Sequence, residues 1–280
     1  MKNPYFLFIS ITIVFLSLSC CLADTITVGG VPASRITSSA LFSSNAYYRS
    51  LRTSLEDNFG PGKTVSSRSM AFQEVGNSSS FDAADLNGID VFVAGSKNSY
   101  STAEADALYG FVVAGGNLIV ASDYSAGDAN HVNVIASKFG VTFQSGWNPN
   151  TSFPIQTGAE FVTNGSFGNL AGQSEYTGSN AVSQISSLGS YATAVSLFPS
   201  STIARTALIA PGVLGSGSGA VLFFNDWLAD TFGRNSNANN VTRNVFFNYF
   251  SNVSSQIPEP STSLLFCLAF AAIGFWKLKK

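Results

Sequence analysis

The segment from residue 85 to residue 124 restricts the fold of this chain more than any other. Val91-Phe92-Val93-Ala94-Gly95 and Leu118-Ile119-Val120-Ala121 are short, uninterrupted apolar runs, the pattern of strands buried on both faces. Between them, Ser101-Thr102-Ala103-Glu104 has the spacing of a capping box, which predicts a helix opening at Thr102 with Leu108, Phe111 and Val112 turned to the sheet. Gly115-Gly116 stops that helix. A strand, a covering helix and a second doubly buried strand are the building unit of a parallel sheet, so the expected class is α/β.

The rest of the chain extends this pattern. Residues 25–30 read as a first strand, and residues 39–59 as a helix capped by Ser38 or Ser39. Its apolar stripe is Leu41, Tyr48, Leu51, Leu55 and Phe59, and Gly60-Pro61-Gly62 ends it. Residues 63–72 read as a second strand and 76–80 as a loop. Later, Ala220-Val221-Leu222-Phe223-Phe224 follows Ser216-Gly217-Ser218-Gly219 as a strand, and residues 242–250 form a closing helix that buries Val245, Phe246, Tyr249 and Phe250. Residues 141–214 are rich in Gly, Ser and Thr with short alternating runs, and read as a β-rich insertion or extension. The domain so outlined spans residues 24–256, long enough to bury a core of its own.

Both ends carry apolar segments of another kind. Lys2, apolar residues 5–18 and Cys21-Leu22-Ala23 before Asp24 have the order of a secretory signal peptide, so cleavage is expected between Ala23 and Asp24, removing residues 1–23. A lipoprotein signal is not read there, because Ser17-Leu18-Ser19 before Cys20 lacks the usual upstream leucine. At the far end, Pro258-Glu259-Pro260 precedes an apolar run over 264–276 and a basic tip of Lys277, Lys279 and Lys280. As a helix that run rises ~20 Å against a hydrocarbon core of ~30 Å, and extending it to 261–276 leaves it marginal. It suits a provisional anchor whose lysines reach the interface.

The tail over residues 257–280 resembles the PEP-CTERM sorting signal of Gram-negative bacteria. That resemblance implies export through the secretion machinery, cleavage by signal peptidase, and transient anchoring in the inner membrane. It also implies recognition of Pro258, Glu259 and Pro260 by an exosortase, then delivery to the cell surface or the extracellular matrix, with exopolysaccharide as a partner.

The central pattern resembles the class I glutamine-amidotransferase-like superfamily, whose flavodoxin-like sheet is flanked by helices. The resemblance is carried by Leu86 and Asp90 before a strand, the acid-containing helix after Ser101, and Gly115-Gly116 before the next strand. Amidotransferases of that superfamily use a cysteine on a sharp turn after a central strand and a histidine near the end of the sheet. The matching places here hold Ser122-Asp123-Tyr124 and Asn225-Asp226-Trp227, so the resemblance implies a domain without that catalytic pair.

Composition narrows the chemistry further. The three cysteines, Cys20, Cys21 and Cys267, all lie in the terminal segments, which leaves residues 24–256 without disulfides, thiolate metal sites or cysteine nucleophiles. Setting aside Lys2, Glu259 and the three tail lysines leaves ten basic and fifteen acidic side chains, a net charge of −5, and nothing in that balance attracts nucleic acid. No phosphate loop, dinucleotide fingerprint, zinc motif or Gly-x-Ser-x-Gly elbow occurs.

Ligands of open α/β sheets gather outside the carboxyl ends of the strands. That rule directs Ser96, Ser122, Asp123, Asn225 and Asp226 toward one crevice, with Asp128, Asn130 and His131, the sole histidine, beside it. Such a group could hold sugar hydroxyls through amides and carboxylates, or a hard cation through oxygen ligands; equally, Asp and Asn at strand ends cap helices and form turns. Trp147, on a Gly/Asn/Pro-rich stretch, could offer a flat face to a sugar ring or pack over an apolar edge. The expected function is that of an exported, non-enzymatic surface or matrix protein, with no catalytic residue, metal or cofactor assigned. The alternatives are a divergent hydrolase that activates water through Asp123, Asp226 or His131, and a calcium- or sugar-binding module.

Overall fold

A computed structural model describes residues 24–147, 152–176, 182–233 and 239–253. The signal peptide over 1–23 and the sorting tail over 257–280, with its apolar span and lysines, lie outside the described residues, as does the side chain of Trp147. Among the described residues no helix is long and apolar enough to cross a membrane.

The first half alternates strand and helix: β1 (Asp24–Gly30), α1 (Ser50–Asn58), β2 (Arg68–Glu74), β3 (Val91–Gly95), α2 (Thr102–Val113), β4 (Asn117–Ala121) and α3 (Ala126–Ala136). Next come β5 (Thr142–Trp147), β6 (Ser152–Pro154), the single turn α4 (Glu160–Thr163), β7 (Asn164–Gly165), β8 (Gly168–Asn169) and β9 (Ser174–Tyr176). The described chain closes with β10 (Val182–Ser187), β11 (Thr193–Leu197), β12 (Ala204–Ile209), β13 (Val221–Phe224), α5 (Leu228–Phe232) and α6 (Asn240–Asn252).

One large mixed sheet runs β2-β1-β3-β4-β13-β12-β10-β5, with β11 on the free side of β12. Neighbours from β2 to β13 are parallel, and those from β13 to β5 antiparallel. The parallel half therefore has one of the two common doubly wound strand orders.

Strand alternation sorts the core into two layers. Val91, Val93, Ile119, Leu222 and Phe224 face α1 and α6, where they meet Leu51, Leu55, Val245, Phe246 and Phe250. Their neighbours Phe92, Ala94, Leu118, Val120, Val221 and Phe223 face α2 and α3, meeting Leu108, Val112, Val132 and Ile135. Both faces are covered, which explains why these strands read as unbroken apolar runs. Each fully buried Val, Leu or Phe contributes about 1.5–3 kcal/mol, so packing on the sheet outweighs helix propensity.

The capping box at α2 is complete: the Glu104 amide donates to Ser101 Oγ at 3.2 Å and the Ser101 amide to Glu104 Oε2 at 2.8 Å. Past the helix, β4 and β13 start so close together that a Cβ on Gly219 would stand 1.9 Å from the Gly116 carbonyl oxygen. Gly219→Ala is expected to lower stability by about 1–3 kcal/mol, read as a shift in the urea midpoint. An unchanged midpoint would show that the two strands can part there at no cost.

Two expectations are corrected. The helix expected over 39–59 is confined to Ser50–Asn58. Short side chains upstream hold turns instead: Ser39 Oγ accepts from the amides of Leu41 and Phe42, Ser43 Oγ from Asn45, and Asn45 Oδ1 from Tyr47. Leu41 is still buried, but on a loop. The second strand begins at Arg68 rather than residue 63, because Gly60 and Gly62 carry the chain through left-handed turns first. Of the two readings of the β-rich stretch over 141–214, the sheet has the extension, since β5, β10, β11 and β12 continue the main sheet in antiparallel fashion.

Candidate functional site

The carboxyl ends of β3, β4 and β13 lie side by side, paired through Gly95↔Ala121 and Phe224↔Ala121. Each strand is followed by polar residues: Ser96 and Lys97 after β3, Ser122 and Asp123 after β4, and Asn225, Asp226 and Trp227 after β13.

Lys97 organises the site. Its ammonium is 2.6 Å from Asp123 Oδ2 and 3.2 Å from each carboxylate oxygen of Asp128, and it sits 5.2 Å from the centre of the Trp227 ring. Asp128 occupies the first turn of α3, where Ser125 is the N-cap and accepts from the Asp128 amide at 3.0 Å. A carboxylate there also complements the positive end of the helix. Tyr47 donates to Asp230, and its ring lies 6.0 Å from that of Trp227, while Tyr48 lies 5.2 Å from it. Three aromatic rings thus cluster beside one cation and its carboxylates. Next to them an apolar crevice of about 430 Å³, open solvent at its mouth included, runs between Val31, Ile36, Leu41 and Val93 to Lys97 and Trp227.

Burial acts on Lys97, Asp123 and Tyr47. It works against the charged form of Lys97, but the hydrogen bond and field of Asp123, joined by Asp128, outweigh it and raise the ammonium above its ordinary value. Asp123 is raised by burial, which its contacts with Lys97 only partly offset. Burial, and then the hydrogen bond to Asp230, push the Tyr47 phenol far up. The signs follow by linkage. The Lys97 contribution to stability is present below the unfolded lysine value and is lost as pH rises through the higher folded value. Asp123 contributes oppositely to an ordinary ion-paired carboxylate, favouring the folded state more as pH falls through its own value. Lys97→Met removes the cation between two carboxylates, and Asp123 is expected to titrate higher still in a carbon-13 NMR titration. An unmoved Asp123 would show that burial alone governs it.

The other predicted residues divide. Asp123 and Asp128 come together, around a lysine. His131 lies on α3, and its Nδ1 donates to the Ser96 carbonyl at 2.8 Å, tying the helix to the end of β3. Asn130 is an exposed position of the same helix. Asn225 is turned to β10 instead, its amide donating to the Ser183 carbonyl at 2.9 Å. Ser122 is fully buried and donates to the Asp123 carbonyl, and Asp226 accepts from the Trp227 amide at 2.8 Å, the helix- and turn-forming role open to it from the start. Among the described residues no three His, Cys, Asp or Glu side chains are grouped to hold a metal ion. An ammonium stands where a cation between Asp123 and Asp128 would go.

No family model and no curated protein matches the chain. Solved structures do. The mmIFT52 N-terminal domain superposes with a TM-score of 0.56 at 13% identity, over 84% of this chain and 100% of that one. A ThuA-like protein from Bacteroides uniformis reaches 0.47 at 11% identity, over 84% and 92%. A β-galactosidase from the haloarchaeon Halorubrum lacusprofundi reaches 0.46 at 10% identity, over 84% of this chain and 32% of the enzyme. At these identities the likeness extends to the fold alone.

Lys97, one residue beyond Ser96 at the end of β3, is not among the residues expected at the crevice. The signal was available, since Lys97 is the only lysine between Lys63 and Lys138 and follows a strand end. Tyr47 and Asp230 carried no such signal, because 183 positions separate them.

Proposed function

We propose that this chain is an exported surface or matrix protein. In this reading residues 1–23 direct export, residues 257–280 act as a PEP-CTERM-type sorting tail, and the domain between is a flavodoxin-like relative of the amidotransferase superfamily that binds a glycan rather than transforming it. The observation that carries the binding role is the Lys97 ammonium held between Asp123 and Asp128 beside Trp227. Both carboxylates are bonded to the one ammonium, so the group offers hydrogen-bonding atoms and an aromatic face rather than a free acid and base. Sugars are recognised by this combination of ring stacking and polar contacts.

Melting curves of the purified chain against a panel of neutral and acidic polysaccharides test this. Ligand at about 100 times its Kd adds about 2.7 kcal/mol, or a rise of roughly 5–10 °C for a domain of this size, with no turnover. Trp227→Ala is expected to abolish the rise. A panel without any shift would remove the glycan role. A second reading rests on Asp123, whose raised carboxyl is a property of general acids. Release of reducing ends that disappears in Asp123→Asn would favour that divergent hydrolase.

A further inference from the structure

The residue that follows the expected signal cleavage and the residue from which the tail departs are held by one side chain. Arg68 opens β2 in register opposite Asp24, and its guanidinium lies 3.0 Å from the Asp24 carboxylate. The same guanidinium donates to the carbonyls of Phe250, Ser251 and Val253 at 3.2, 3.0 and 2.5 Å, closing the carboxyl end of α6. Asn252 and Val253 also share the wall of a hollow with Asn117 and Gly219, which stand at the starts of β4 and β13. Residues 24 and 253 therefore both lie at the amino-terminal pole of the parallel strands. Lys97, Asp123 and Trp227 lie at the opposite pole, about 20 Å away along a seven-residue strand at ~3.3 Å per residue.

We propose that the amino-terminal pole is the face this domain turns to a lipid bilayer, and that the crevice faces away from it. The inference rests on the reading of residues 1–23 and 264–276 as membrane-entering segments. Only residues 254–263 separate Val253 from the apolar run. Ten residues reach at most ~35 Å, whatever conformation they adopt. A domain of this size is about 45 Å across, so passing the tether around it to lay the other pole on lipid would need roughly 70 Å. Before signal cleavage the constraint is tighter, because only residues 19–23 separate Asp24 from the apolar run over 5–18. Val113, at the end of α2, and Val213, in the loop before β13, lie on this same pole at 41% and 42% exposure. With this pole toward lipid, the crevice stays open to soluble or matrix polymers.

The test places one fluorophore at either pole. Cys20, Cys21 and Cys267 are replaced by serine, and a single cysteine is introduced as Lys63→Cys, in the exposed turn before β2, or as Tyr124→Cys, beyond β4 at the crevice pole. The labelled full chain is reconstituted in phosphatidylethanolamine–phosphatidylglycerol vesicles that carry a short-range headgroup quencher. Co-flotation with the vesicles and severalfold stronger quenching at position 63 than at 124 is the expected result. Co-flotation with equal or reversed quenching would overturn the orientation while leaving the membrane reading intact. A chain that does not co-float would overturn the membrane reading and the orientation with it.

Discussion

Glu175→Leu is expected to lower the stability of the domain by about 3–5 kcal/mol, because it leaves Arg205 charged and buried without its counter-ion. Neither side chain has any exposure to solvent. Arg205 Nη1 donates to Glu175 Oε2 at 2.9 Å, and Thr206 Oγ1 donates to the same oxygen at 2.8 Å together with Ser196 Oγ. The guanidinium lies between the rings of Phe153 and Phe224, at 4.9 and 4.8 Å. Glu175 belongs to β9, paired only with β6, so this ion pair joins a two-stranded ribbon to the main sheet.

Polar atoms are left over in the arrangement. Glu175 Oε1 and Arg205 Nε and Nη2 have no hydrogen-bond partner among the described residues. Such a pair need not stabilise more than a well-packed apolar replacement would. The double variant Glu175→Leu with Arg205→Met is accordingly expected to recover most of what the single one loses. At roughly 2–4 °C per kcal/mol, the single variant melts about 6–20 °C lower and the double variant returns toward the parent. A single variant as stable as the parent would show that the ribbon is held by other contacts.

Arg35→Ala is expected to cost a similar ~3–5 kcal/mol, and to change the response to acid as well. Arg35 lies on the loop beside the crevice and forms a bidentate pair with Glu104, its Nη2 donating at 3.0 Å, while its Nε donates to Asn98 at 3.0 Å. Glu104 also completes the capping box of α2 and accepts from the Phe81 amide. Burial by itself would raise this carboxyl, but the Arg35 guanidinium and the Ser101 donors prevail and hold it below its ordinary value. A carboxylate lowered by folding stabilises the protein above its unfolded value, about 4.3, and that contribution is lost as pH falls through the folded value. The parent should therefore lose melting temperature on acidification below about pH 4.3, and Arg35→Ala should lose less over the same window. Parallel pH profiles would separate Glu104 from Arg35 and overturn the assignment.

The strand–helix–strand unit was legible because each of its signals acts over a few residues. Ser101 and Glu104 meet across one helical turn, and the runs at residues 91–95 and 118–121 declare double burial in their own composition. The misread helix over 39–59 shows the limit of periodicity. Leu41 and Tyr48 fit the apolar stripe, yet Ser39, Ser43 and Asn45 bond the local backbone first and delay the helix until Ser50. The antiparallel extension was visible only as a β-rich composition, since the alternation of β10 and β12 does not say which strand either will join.

By itself the sequence determined the α/β class, the doubly buried strands, the capped helix, and a domain without thiols between two apolar ends. Those properties depend on residue type and near neighbours. Tertiary structure alone decided that Lys97 lies between Asp123 and Asp128, that Arg205 meets Glu175, and that Arg68 gathers both ends of the domain at one pole. These ion pairs and charged hydrogen bonds form between residues 26 to 185 positions apart. Their energies depend on the burial and direction that the finished sheet imposes, and no local pattern encodes either.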